Sequence, residues 1–193
     1  MQFRSLNEDQ LCLLHEASLE IMARTGMRFY LQEAIDLFAK AGAWVSDGNL
    51  VRIPQHLVEW ALRTAPKNIT IFDRAGRRAM SLGSYRSYFG PGSDCSYIYD
   101  LDTGQRRKAV LDDVVQAVRL VDGLPNLDFM MSMFLPSDVP QEGYERRQMA
   151  VMLKESTKPI IYVGVEAAST VDAVEMATAV AGDLDTLQRY PFI

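Results

Sequence analysis

Apolar positions in the first part of the chain recur at three- and four-residue intervals. Leu11, Leu14, Ser18, Ile21 and Met22 share one helical face, Ser5-Leu6-Asn7-Glu8 offers a Ser-x-x-Glu cap, and Gly26 supplies a stop. A second amphipathic pattern covers Gln32 to Ala41, with Gly42 behind it. Trp44 to Ile53 then alternates around Asp47-Gly48, the signature of a β-hairpin. Pro54 opens a third helix through Ala65, and Pro66 closes it. These 66 residues form a helix, helix, hairpin, helix unit, with the boundary at Pro66.

From Asn68 to Val110 the period falls to two. Short strands are expected at Ile69–Phe72, Ala79–Leu82, Tyr85–Phe89, Ser96–Leu101 and Gln105–Val110, an antiparallel insertion. Beyond Val110 helices and apolar runs alternate: helix Leu111–Val121, strand Leu127–Leu135, helix Gln141–Ser156, strand Pro159–Val165, helix Thr170–Gly182 with a turn to Arg189, and a strand start at Pro191-Phe192-Ile193. Such alternation predicts right-handed parallel βαβ units, and the nearly unbroken apolar runs predict strands covered on both faces. The expected class is α/β. Closing an eight-stranded (β/α)8 barrel takes about 250 residues. Residues 67–193 therefore read as the N-terminal part of such a barrel, preceded by the helical extension 1–66.

Composition narrows the function classes. Across 193 residues the net charge is -5, and the longest basic run is Arg106-Arg107-Lys108, which argues against nucleic acid. No apolar run approaches the roughly 20 residues a membrane helix needs, and the N-terminus lacks a signal-peptide pattern. Cys12 and Cys95 suggest no disulfide framework, so a reducing cytoplasm is expected. His15 and His56 have no second ligand at metal-binding spacing and are read as surface or packing residues, with no metal site.

The candidate chemistry lies at the C-terminal ends of the expected strands, where parallel α/β folds place their working groups. Three ends each carry a carboxylate: Asp94 in Phe89-Gly90-Pro91-Gly92-Ser93-Asp94, Asp138 after Pro136-Ser137, and Glu166 after Gly164-Val165. Phe89, Tyr97 and Tyr99 surround the first. A tertiary or quaternary ammonium offers few or no hydrogen-bond donors, so ring faces and nearby negative charge hold it, at ~0.5 to 2 kcal/mol per cation–π contact. Glycines let a ligand approach the backbone, and Asp94 is the first choice to face such a cation. Structural roles stand beside each assignment: a Gly-Pro turn for the loop, a helix N-cap for Asp138, a solvent-facing loop residue for Glu166. Asp112 and Asp113 read as caps of the helix they begin. Nucleotide-binding, serine-hydrolase and zinc-protease motifs are absent, and Cys95 lacks a histidine to activate it. No catalytic residue is assigned.

Several stretches together carry a resemblance. Leu13 to Ile21 followed by Thr25-Gly26, Val51-Arg52-Ile53-Pro54, Ala65-Pro66, Phe89-Gly90-Pro91-Gly92-Ser93, Asp100-Leu101-Asp102-Thr103-Gly104 and Leu124 to Phe129 resemble the trimethylamine methyltransferase family, which includes glycine betaine and related methyltransferases. The resemblance covers the whole chain in order. It implies a TIM barrel with a helical N-terminal extension that moves a methyl group from a methylated amine to the cobalt of a corrinoid carried by a separate protein. The corrinoid protein and the methylated amine are then the partners, a homo-oligomer is expected, and this chain binds no corrinoid directly. Substrate-binding residues are expected among Phe89, Gly90, Gly92, Ser93, Asp94, Tyr97, Asp138 and Glu166. The resemblance also implies that the chain alone is inactive, lacking most of the barrel, and that the pyrrolysine of trimethylamine-specific members would fall beyond Ile193. Two other readings are a non-catalytic binder of quaternary ammonium compounds and an assembly fragment.

Overall fold

The computed structural model describes residues 5–193. Contacts divide the chain into a unit ending at Pro66 and a unit beginning at Lys67.

In the first unit helix α1 spans Glu8–Glu20. Its cap is Asn7 rather than Ser5: Asn7 Oδ1 accepts from the Gln10 amide at 2.8 Å, and Gln10 Oε1 accepts from the Asn7 amide at 3.0 Å. Amide side chains here perform the reciprocal bonding expected of Ser and Glu, two residues later. A π-helical turn, Ile21–Thr25, continues α1 up to Gly26. Strand β1 (Met27–Arg28), helix α2 (Gln32–Lys40), strands β2 (Trp44–Ser46) and β3 (Leu50–Arg52) and helix α3 (Gln55–Thr64) follow. The expected hairpin gains β1 as a third antiparallel strand, in the order β1-β3-β2, with Val51 fully buried at its centre. Ala65 turns extended ahead of Pro66, whose ring disfavours helix in the preceding residue. His15 Nε2 lies 2.8 Å from Glu59 Oε1, tying α1 to α3.

The second unit opens with two antiparallel hairpins: β4 (Ile69–Phe72) with β5 (Arg78–Leu82), and β6 (Tyr97–Tyr99) with β7 (Arg106–Lys108). No strand forms at Tyr85–Phe89. Tyr88 instead uses its hydroxyl to accept from the Ser81 amide at 2.8 Å. Helices α4 (Leu111–Gly123), α5 (Tyr144–Glu155), α6 (Ala167–Ala181) and α7 (Leu184–Arg189) pack in sequence, each on the next.

The long strands expected at Leu127–Leu135 and Pro159–Val165 are reduced to isolated parallel bridges, Cys95 with Phe134 and Met130 with Ile160. Met133 at φ 59° interrupts the first run, and Pro159 has no amide hydrogen to donate to a ladder. Neighbouring segments nevertheless lie side by side. Met133 donates to Gly92 O at 3.1 Å, Ile161 to Met130 O at 2.9 Å, and Ile160 to Phe192 O at 2.7 Å. Against them Val114, Val118, Met130, Met149, Met152, Ile160, Ala177 and Phe192 form the core. The architecture is mixed helix and sheet, of the α/β kind.

Two polar anchors fix the ends of α4. Asp113 is buried and accepts from Arg107 Nη1 at 2.7 Å, Arg107 Nη2 at 2.8 Å and the Val110 amide at 2.8 Å. At the other end Lys158 Nζ donates to the carbonyls of Val121, Leu124 and Leu127 at 2.6, 2.6 and 2.7 Å. Among the described residues no helix is long and apolar enough to cross a membrane.

Candidate functional site

The Gly-Pro-Gly segment lies directly against the segment that follows α4. The Phe89 amide donates to Asp128 Oδ2 at 2.8 Å, and the Asp128 amide donates to Phe89 O at 2.6 Å. A Cβ on Gly90 would fall 2.3 Å from the Phe129 ring, so only glycine allows this approach. Gly92 has nothing within 4 Å of that position. Neither glycine takes a positive φ; that conformation falls to Asp94, at 61°. Aspartate is among the few side chains that visit it readily. Met133, whose carbonyl accepts from the Cys95 amide at 2.9 Å, is left-handed as well. A left-handed methionine marks locally strained backbone, which tends to gather at functional sites.

Asp94 is exposed, and its Oδ2 accepts from Ser93 Oγ at 2.9 Å. Its charge reaches Tyr144, the first residue of α5, whose hydroxyl is pushed up chiefly by burial and then by the charges of Asp94 and Glu145. Gly143 precedes it at φ 74°, a left-handed residue that delays the helix from the expected Gln141. That delay brings Tyr144 and Glu145 to the helix entrance.

The other expected residues have varied surroundings. Asp138 does cap a helix, but it is α4: its Oδ1 accepts from the Leu111 amide at 2.8 Å. Glu166 is exposed at the N-cap of α6 without a capping bond from its side chain. Tyr97 lies on β6, with the Arg106 guanidinium 3.6 Å above its ring. Phe89 is exposed. Asp113 performs the capping expected of it, Arg107 holding its carboxyl below the usual range.

Residues not singled out from the sequence complete this region. Glu145 is 3% exposed. Tyr162 donates from its hydroxyl to Ser169 O at 3.2 Å, and burial, then the charge of Glu145, pushes that hydroxyl up. Arg146 pairs with Asp172 of α6. The Gly143 break before Tyr144-Glu145 was the available signal for Glu145. An apolar groove of about 600 Å³, lined by Ile71, Met80, Leu82, Phe129, Ile161 and Ile193 among others, includes none of the three predicted carboxylates.

No group of three or more histidine, cysteine or acidic side chains suited to a metal occurs among the described residues. Cys12 and Cys95 are both free and exposed.

Comparison with known proteins gives this arrangement a context. The sequence profile of the family described as "Trimethylamine methyltransferase (MTTB)" matches residues 1–193. The trimethylamine methyltransferase MttB of Desulfitobacterium hafniense is 29% identical over 187 residues, covering 96% of this chain and 38% of that protein. A glycine betaine methyltransferase from the same species is 27% identical over 193 residues, 100% of this chain and 40% of the relative. A proline betaine:corrinoid methyltransferase of Eubacterium limosum is 33% identical over 150 residues, 76% of this chain and 30% of the relative. The chain thus spans about two-fifths of the length of the first two. Matched along all 193 of its residues, the chain belongs to the trimethylamine methyltransferase family.

Proposed function

We propose that the whole protein moves a methyl group from a tertiary or quaternary methylamine to the cobalt of a corrinoid held by a partner protein. The observation that carries this reading is the family match over all 193 residues. The names of the relatives that act on proline betaine and L-carnitine as corrinoid methyltransferases support it. In this reading residues 1–66 are a helical extension, and 67–193 are the first part of a TIM barrel. Side-by-side segments bridged in parallel, with α4, α5 and α6 in alternation, are what the start of such a barrel requires.

The corrinoid supplies a nucleophilic cobalt that accepts the methyl group. Both histidines precede Pro66, so the segments around Asp94 and Glu166 offer cobalt no imidazole, which suits a cobalt held by the partner. The chain's own residues bind and orient the cation. Phe89, Gly90, Gly92, Ser93, Asp94, Tyr97, Asp138 and Glu166 line its approach, and Asp94 provides exposed negative charge. The ammonium loses its charge as the methyl leaves, so an anionic contact that is too strong would stabilise the ground state over the transition state. A solvated carboxylate attracts the cation while limiting that penalty.

The protein works in the cytoplasm as a homo-oligomer, and the 193-residue chain alone is inactive. The test is turnover by a protein of full family length, with corrinoid partner, on a panel of trimethylamine, glycine betaine, proline betaine and carnitine. Turnover on at least one supports the reading; binding without turnover on any would reduce the protein to an ammonium binder.

A further inference from the structure

Glu145 is a nearly buried carboxylate to which the fold gives no hydrogen bond, only the nearby charge of Arg146. It is 3% exposed, yet it accepts no hydrogen bond and forms no ion pair among the described residues. Three other buried polar side chains of this unit are provided for: Asp113 has Arg107, Gln148 reaches Phe134 O at 2.7 Å, and Ser156 reaches Asp122 at 2.8 Å. The adjacent Arg146 gives its guanidinium to Asp172 instead.

A carboxylate in this position loses hydration and recovers only the charge of the neighbouring Arg146 and the field of the α5 amino end, with no hydrogen bond in return. Among the described residues the fully buried polar side-chain atoms without a partner are Arg74 Nε and Ser169 Oγ, so the Glu145 oxygens still reach accessible space. They do so at the amino end of α5, where the helix dipole favours negative charge. Tyr144 and Tyr162, both part-buried, lie within reach of its charge, and Tyr162 is fixed by its bond to Ser169 O. With no cluster of three metal-binding side chains among the described residues, the donor set does not suit a metal ion. Two aromatic side chains and an unpaired carboxylate suit a compact organic cation.

We propose that Glu145, flanked by Tyr144 and Tyr162, is the specificity-determining carboxylate for a methylated ammonium group, with Asp94 at the outer rim. This rests on the methylamine reading above and assigns the inner anionic contact to a residue outside the Gly-Pro-Gly loop.

The test is titration of a protein of full family length with tetramethylammonium chloride, following the ligand methyl resonance by proton NMR. A saturable upfield shift from the tyrosine rings is expected, with the neutral isostere 3,3-dimethyl-1-butanol binding more weakly. Glu145→Gln is expected to weaken tetramethylammonium binding about tenfold or more. Absence of a shift with the native protein, equal binding of the isostere, or unchanged affinity in E145Q would overturn the proposal. Should E145Q fail to fold, Glu145→Asp and Tyr162→Leu replace it, and native affinity in both is the contrary result. Loss of methyl transfer in the full-length protein with tetramethylammonium binding and its Glu145 dependence intact would refute the transferase reading alone. Turnover and KM unaffected by E145Q would refute this proposal alone.

Discussion

The Gly90 backbone rests on the ring of Phe129, with 2.3 Å between a Cβ built on the glycine and Cε2 of the phenylalanine. Any side chain here must displace the ring or the loop. Gly90→Ala is expected to cost about 1 to 3 kcal/mol of stability, the usual penalty for overpacking. Gly92→Ala, with open space around it, should stay within about 0.5 kcal/mol. Urea denaturation of both variants checks the contrast, and equal midpoints would contradict it.

Arg107 joins two carboxylates, Asp100 at 3.0 Å and Asp113 at 2.7 Å. Its hydrogen bonds, followed by those from Thr103, hold the Asp100 carboxyl at about 2. Asp113 is lowered first by Arg107 as well. Both folded-state values lie below the unfolded ones, so the unfolded chain binds more protons as pH falls. The contribution is fully present above about pH 5, declines as the pH falls through about 4, and is lost near 2. Melting temperature should therefore drop across that acid range, and Arg107→Met should lower it at neutral pH while flattening the acid slope. An unchanged slope in the variant would count against the assignment.

Lys158 satisfies three carbonyls where α4 ends, a common use of lysine at helix C-termini. Lys158→Met keeps the stem and removes the donor, at an expected cost of about 1 to 3 kcal/mol. A lower urea midpoint with an unchanged m value is the predicted result.

The Arg106 guanidinium covers one face of Tyr97, joining β6 to β7. A double-mutant cycle with Arg106→Gln and Tyr97→Leu should give a coupling of about 0.5 to 1 kcal/mol. Coupling near zero would leave that face free for a ligand.

Periodicity made the helices and hairpins legible, because burial of one face dictates spacing. It did not identify the cap of α1, since Asn7 and Gln10 perform a role that Ser5 and Glu8 also suited. The two apolar runs read as continuous strands became single bridges, because periodicity carries no sign of Met133 turning left-handed. The Gly-Pro-Gly loop was visible as a shaped element, but its close approach to Phe129 depends on a residue 39 positions from Gly90. Asp138 was readable as a cap, though its partner Leu111 lies behind it in sequence. Glu145 stayed hidden within an expected helix, since its burial and the pairing of Arg146 with Asp172 depend on how α5 packs on α6.

The most direct test is the visible spectrum of the reduced corrinoid protein mixed with a full-length version of this protein and a methylated amine. Methylation of cobalt by the native protein, slowed at least about tenfold by Asp94→Asn, is the predicted result. Asparagine tolerates the left-handed backbone at this position, so the substitution removes charge without refolding the loop. A spectrum that stays unchanged with every methylated amine would contradict the account.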